Sequence, residues 1–240
     1  VVDVLSVATE VAVRHQILMG SGHVVEDRAG ATDNVIHDGP GPSAWTTSVA
    51  GVVAVASNVA AVVVVSGGIS AAYQPDELPL WLSQSIAAPG RAAVAGALFA
   101  IGVLALPIWM RGVLRDRRIP GRQHDPKLLG ALTLVCIGNA LGSLLPPFAD
   151  VAGADALRAA LWLDALFNLG LGAVFVVVGA RSRASTLGLF MLVAGVITLP
   201  VSLQGVSAMA ADLLAIAGPL WLMCVLAWSV TIWREGVRET

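Results

Sequence analysis

Asp164 and Asn168 stand four residues apart inside the apolar run 157–180, LRAALWLDALFNLGLGAVFVVVGA. That spacing puts both side chains on one face of a helix. A run of this length spans the ~30 Å hydrocarbon core of a bilayer at ~1.5 Å per residue. A carboxylate at such a depth costs about 2.5–3.5 kcal/mol on insertion scales, so it requires a partner or a purpose. A second polar pair, Asn139 and Ser143, has the same four-residue spacing in the preceding apolar run 128–145. If the two runs form an antiparallel hairpin, Asn139 lies ~16 Å from one end of its helix and level with Asn168. Asp164 then falls level with Ser143. The expectation is a hydrogen-bonded seam of Asp164, Ser143, Asn168 and Asn139, with Asn58 of an earlier run at a depth where it could join.

Three chemistries suit such a seam. It could be polar glue that fixes helix register, with Asp164 neutral, since low dielectric disfavours the charged form. It could be a proton or cation site, the role that intramembrane carboxylates often mark. It could also be a pocket that senses a ligand. Apart from Arg158 at the edge of its span, no Lys, Arg or His lies in the apolar runs to hold Asp164 ionised. Beside the seam, Gly138 and Gly142 form a small-residue pair that lets another helix approach closely, within the chain or between protomers. Gly170, Gly172 and Gly179 favour tight contacts in the same way.

The elements that must position these residues are six apolar spans, at about 45–67, 92–110, 128–145, 157–180, 186–203 and 213–233. The predicted fold class is all-α, a polytopic membrane bundle of six helices arranged as three hairpins. Val-rich 45–67 has strand propensity, but its length argues for a helix. Pro107, Pro200 and Pro219 fall inside or near the ends of spans. The segment 78–90, LPLWLSQSIAAPG, could be a re-entrant or interfacial piece. Echoes such as LPIW, LPPF and LPVS are too faint to establish an internal repeat.

The connections orient the bundle. One link holds Arg111, Arg115, Arg117, Arg118, Arg122 and Lys127, a later link holds Arg181 and Arg183, and the tail after the last span holds Arg234 and Arg238. The alternate links carry Asp76, Glu77, Asp150, Asp155 and Asp212, with Arg91 and Arg158 only at span edges. Basic loops mark the cytoplasmic side. Both termini are therefore expected inside, with residues 234–240 as a cytoplasmic tail. Trp45, Trp81, Trp109 and Trp233 are expected at the membrane interfaces, as an aromatic belt.

Residues 1–44 read as a separate cytoplasmic segment. Its first 18 residues suit a short amphipathic helix, and the rest is a Gly-, Pro- and Asp-containing stretch without sustained periodicity. Met19 opens MGSGHVVEDRAG, so an upstream start is one explanation of residues 1–18.

Composition agrees with the membrane class. The chain is 57% hydrophobic and 12% charged, against about 25% charged in an ordinary soluble domain. A net charge of −2 without basic stripes excludes a nucleic-acid partner. Cys136 and Cys224 both fall mid-span and read as small apolar residues. His23 and His37 with Asp27, Asp33 and Asp38 match no closed metal site, and no metal or cofactor is expected. No span contains His for haem or Lys for a Schiff base, and no phosphate-binding loop or zinc-protease motif is present. No catalytic residue stands out, so an enzyme is not the favoured class.

The expected role is a small transporter or permease-like subunit in a bacterial plasma membrane, with Asp164 lining its polar seam. The high Ala, Val and Gly content with few Lys suits a high-GC bacterial gene. The alternative is a membrane sensor or scaffold that docks a cytoplasmic partner through the basic link 111–127. That link would also gain about 1 kcal/mol per cation from anionic lipid. A homo-oligomer or another membrane protein is a further expected partner.

Overall fold

The computed structural model describes residues 43–66, 78–116, 119 and 126–238, and every regular element among them is helical. The expected N-terminal segment 1–44 lies outside the described residues except for its last two positions.

Helix α1, Ala44–Ser66, starts behind Ser43, whose Oγ accepts a hydrogen bond from the Thr46 N–H at 3.1 Å. This satisfies one of the donors that a helix start leaves open. Segment 78–90, expected as an interfacial piece, contains a ten-residue helix, α2, Leu78–Ala87. Helix α3, Pro89–Val113, opens on proline, where a missing N–H costs nothing, and stays helical through Pro107. Helix α4 is Pro126–Ser143. A short 3-10 turn, Pro146–Phe148, then leads into α5, Ala149–Arg181. The first turn of α5 is broken at Gly153, where φ is +62° and only glycine sits without strain.

Helix α6, Thr186–Thr198, is capped by Ser185, whose Oγ accepts from the Gly188 N–H at 3.0 Å. Pro200 has no N–H for the next helical bond, and Leu199–Leu203 tightens into a 3-10 segment. Helix α7, Ala208–Arg238, continues through Pro219.

Five helical stretches are long and apolar enough to cross a membrane: Ala44–Val64, Pro89–Val113, Pro126–Arg181, Thr186–Leu203 and Ala208–Val237. The sequence reading counts six because it separates 128–145 from 157–180. Here the two are parts of one 56-residue apolar stretch that contains α4, the Pro146–Phe148 turn and α5.

The helices pack in a chain of neighbours. Helix α1 packs on α3 and α7, α3 on α4, α4 on α5, α5 on α6, and α6 on α7. The densest part of the core holds Trp109, Met110, Phe175, Met191 and Trp228, all buried. The Trp109 and Phe175 rings sit tilted at 47° with centroids 6.1 Å apart, a geometry that aromatic pairs favour. Two of the four tryptophans assigned to an aromatic belt are therefore elsewhere. Trp109 is wholly enclosed and Trp81 is buried, while Trp45 and Trp233 are exposed. Trp109 turns inward because Gly51 of α1 offers no side chain against it. A Cβ on Gly51 would meet the Trp109 ring at 2.7 Å.

Of the glycine pair expected to let another helix approach closely, Gly142 does so and Gly138 does not. Gly142 is buried against Leu163 and Ala160 of α5, but a Cβ on Gly138 would make only an ordinary contact with Leu163 at 3.5 Å. The tighter pairing is between α5 and α6. Gly172 and Gly179 on α5 and Gly188 and Gly195 on α6 are each seven residues apart, so each pair lies on one helix face. A Cβ on Gly195 would come within 2.7 Å of the Val176 nitrogen.

Candidate functional site

Asp164 projects from the middle of α5 into the meeting point of α4, α5 and the segment after α6. Its Oδ1 accepts a hydrogen bond from Asn139 Nδ2 at 3.2 Å. Its Oδ2 accepts from Asn168 Nδ2 at 3.1 Å and from Gln204 Nε2 at 2.6 Å. Asn168 Nδ2 also donates to the Asp164 carbonyl at 2.9 Å, which fixes the pair along one helix face. Three amides thus converge on one carboxyl. Arg, Lys and His are absent from the described residues that line the space in front of it.

Of the expected seam, the structure brings Asp164, Asn139 and Asn168 together. Ser143 does not join them, since its Oγ donates to the Asn139 carbonyl of its own helix at 2.9 Å. Asn58 behaves likewise, with Nδ2 donating to the Ala54 carbonyl at 2.8 Å. A hydroxyl or amide on a helix readily bonds back one turn, and that local bond competes with partners across the bundle. Gly102 of α3 leaves the room in which the Asn58 amide packs.

Gln204 is the member that sequence reasoning missed. The expected span ended at Leu203, one residue short, and would place the next residue at a membrane surface. Instead the 3-10 segment at Pro200 turns the chain inward, and Gln204 is completely buried. An amide immediately after an apolar run, close to the expected depth of Asp164, was the available signal.

The Gln204 amide is unevenly satisfied. Its Nε2 meets Asp164, while its Oε1 is buried without a hydrogen-bond partner. The 2.6 Å separation lies in the range of O–H···O bonds and at the short edge for N–H···O. Half a turn of the amide would exchange its two ends. Gln204 then accepts from a neutral Asp164 in one orientation and donates to an ionised one in the other.

Asp164, Asn139, Asn168, Ser143 and Asn58 all line one cavity of about 1070 Å³. The volume matches the upper end of small-molecule sites, about 300–1,000 Å³. Most of the wall is apolar and includes Val59 and Val62 of α1 and Leu214, Ala215 and Gly218 of α7. A Cβ on Gly218 would meet nothing within 4 Å, so the helices leave unfilled space there. Trp81 of α2 and Asp212 of α7 also line the cavity.

The basic link is only partly described. Arg111 and Lys127 are exposed and Arg115 is half-buried, whereas Arg117, Arg118 and Arg122 lie outside the described residues. His23, His37 and the nearby acids lie outside them as well. Cys136 and Cys224 are buried, unbridged thiols in the core. Among the described residues, no group of three or more His, Cys, Asp or Glu could hold a metal ion. No protein-family model, curated protein or solved structure matches the chain, so the cavity and its carboxyl are what speak for function.

Proposed function

We propose that the chain is a multi-pass carrier of a bacterial plasma membrane that binds a small amphiphilic solute in the cavity beside Asp164. The observation that carries this reading is the cavity of about 1070 Å³ with an acidic side chain on an otherwise mostly apolar wall. Glue alone would need no such space. Six crossings with both termini inside accommodate the fold. At ~1.5 Å per residue the 18 residues of α4 reach ~27 Å, enough for one crossing. The Pro146–Phe148 turn and the break at Gly153 supply a place for the chain to reverse before α5. The alternation of basic and acidic links supports this orientation, in which the cavity belongs to the half of the bundle nearer the outer surface.

In this arrangement Asp164 anchors the polar head of the solute and the Val- and Leu-lined walls receive its apolar body. The basic link 111–127 then serves to orient the chain. Native mass spectrometry of gently extracted protein tests the reading. Wild type is expected to retain a small-molecule mass that Asp164→Asn loses while remaining folded. An empty wild type, with assembly and stability unchanged in the variant, would make Asp164 a structural residue and overturn the carrier.

A further inference from the structure

We infer that the solute is an amphipathic organic cation that exchanges for a proton on Asp164. This deepens the carrier reading and rests on it. The charge on the cavity wall sets the sign of the ligand. Its titratable members are Asp164 and Asp212, and none of its described residues is basic. Around Asp164, α1 presents Asn58, α4 presents Asn139 and Ser143, α5 presents Asn168, and the segment after α6 presents Gln204. Helices α2 and α3 contribute aromatic and apolar groups such as Trp81, Phe99 and Val103, and α7 contributes Asp212 as the one other titratable side chain. An anionic ligand would meet like charge. A neutral ligand would leave the proton on Asp164, because an ionised carboxyl without a counter-charge is costly at low dielectric, and the charge-bearing capacity of the carboxyl would go unused. A cation with an apolar body satisfies both parts of the wall, and the rings of Trp81, Phe99, Phe167 and Trp221 add surfaces that attract cations.

Gln204 makes the exchange local. In the empty site Asp164 carries a proton and donates it to the Gln204 carbonyl oxygen. On binding, the carboxyl O–H bond breaks and the proton leaves to water through the cavity. The carboxylate pairs with the incoming cation, and the Gln204 amide turns to donate its N–H. One positive charge enters as one leaves, so the occupied and empty sites carry the same net charge.

The test uses the full chain in detergent or nanodiscs with tetraphenylphosphonium as the probe and tetraphenylborate as its counterpart of matched shape and opposite charge. Tetraphenylphosphonium is expected to bind saturably, one per protomer, and to release one proton. Its binding should tighten as pH rises, by about tenfold per unit where Asp164 titrates. Asp164→Asn should weaken it at least tenfold and abolish proton release, whereas Asp164→Glu, which keeps the carboxyl, should restore both. Equal binding of tetraphenylborate, binding without proton release, or unchanged binding in Asp164→Asn would each overturn the proposal. If tetraphenylphosphonium fails while wild type still retains an Asp164-dependent mass, the cation class falls and the carrier stands. If both fail, the carrier falls with it.

Discussion

Between α5 and α6 the backbones touch; between α1 and α7, at the end of the bundle that holds Asp164, they leave a cavity. In the first region Gly172, Gly179, Gly188 and Gly195 leave room where side chains would hold the helices apart. In the second, Val59 and Val62 of α1 and Leu214 and Gly218 of α7 line open space. Yet α1 and α7 do meet at their other ends, where Ser48 Oγ donates to the Ser229 carbonyl at 2.9 Å and Gly51 admits the Trp109 ring. The same pair of helices is therefore joined at one end and parted at the other. Glycine is present in both regions, so glycine content does not decide the outcome. What decides it is whether a neighbour fills the space that glycine leaves.

That contrast breaks most visibly at Gly195. Gly195→Leu drives a branched side chain into the backbone of α5, at a cost at or above the upper end of the roughly 1–3 kcal/mol typical of overpacking. Size-exclusion chromatography in detergent should show loss of the monodisperse protein, and a normal profile would mean that the two helices part easily. Asp164→Leu should have the next largest effect, about 1–3 kcal/mol. It deprives Gln204, fully buried, of its hydrogen-bond partner as well as removing the anchor for a ligand. A melting temperature equal to wild type would show that water in the cavity satisfies the amides. The smallest change is expected at Gly218→Ala. No atom of another helix stands within 4 Å of the new methyl, and alanine's advantage of about 0.5–1 kcal/mol as a helix former is offset by the Pro219 ring, which crowds a Cβ on the helical residue before it, so the melting temperature should change little. A fall would mean that α7 closes on α1 in the membrane.

The pairing of Asp164 with Asn168 was legible from a four-residue spacing, because helical periodicity converts sequence distance directly into a shared face. Asn139 was legible from depth along an antiparallel hairpin. Ser143 and Asn58 were misplaced into the seam because their local bonds to a carbonyl one turn back compete with any distant partner. Gln204 was missed because a proline-driven change of helix type, rather than a hydrophobic pattern, carries it inward. Trp109 was assigned to an interface because its position along the chain is near a helix end, and position along the chain says nothing of direction around the axis.

Apolar length and scarce charge by themselves determined that the chain is a set of membrane-length helices, since burying so many apolar side chains in lipid needs no knowledge of which helix meets which. The same residues determined that a carboxyl lies within one helix and needs partners. Only the tertiary structure decided that Gln204 is one of those partners, that Gly195 admits a closer backbone than Gly138 does, and that a cavity opens before Asp164. Those three depend on the rotation and separation of neighbouring helices, which small residues permit but which only the sum of all contacts sets.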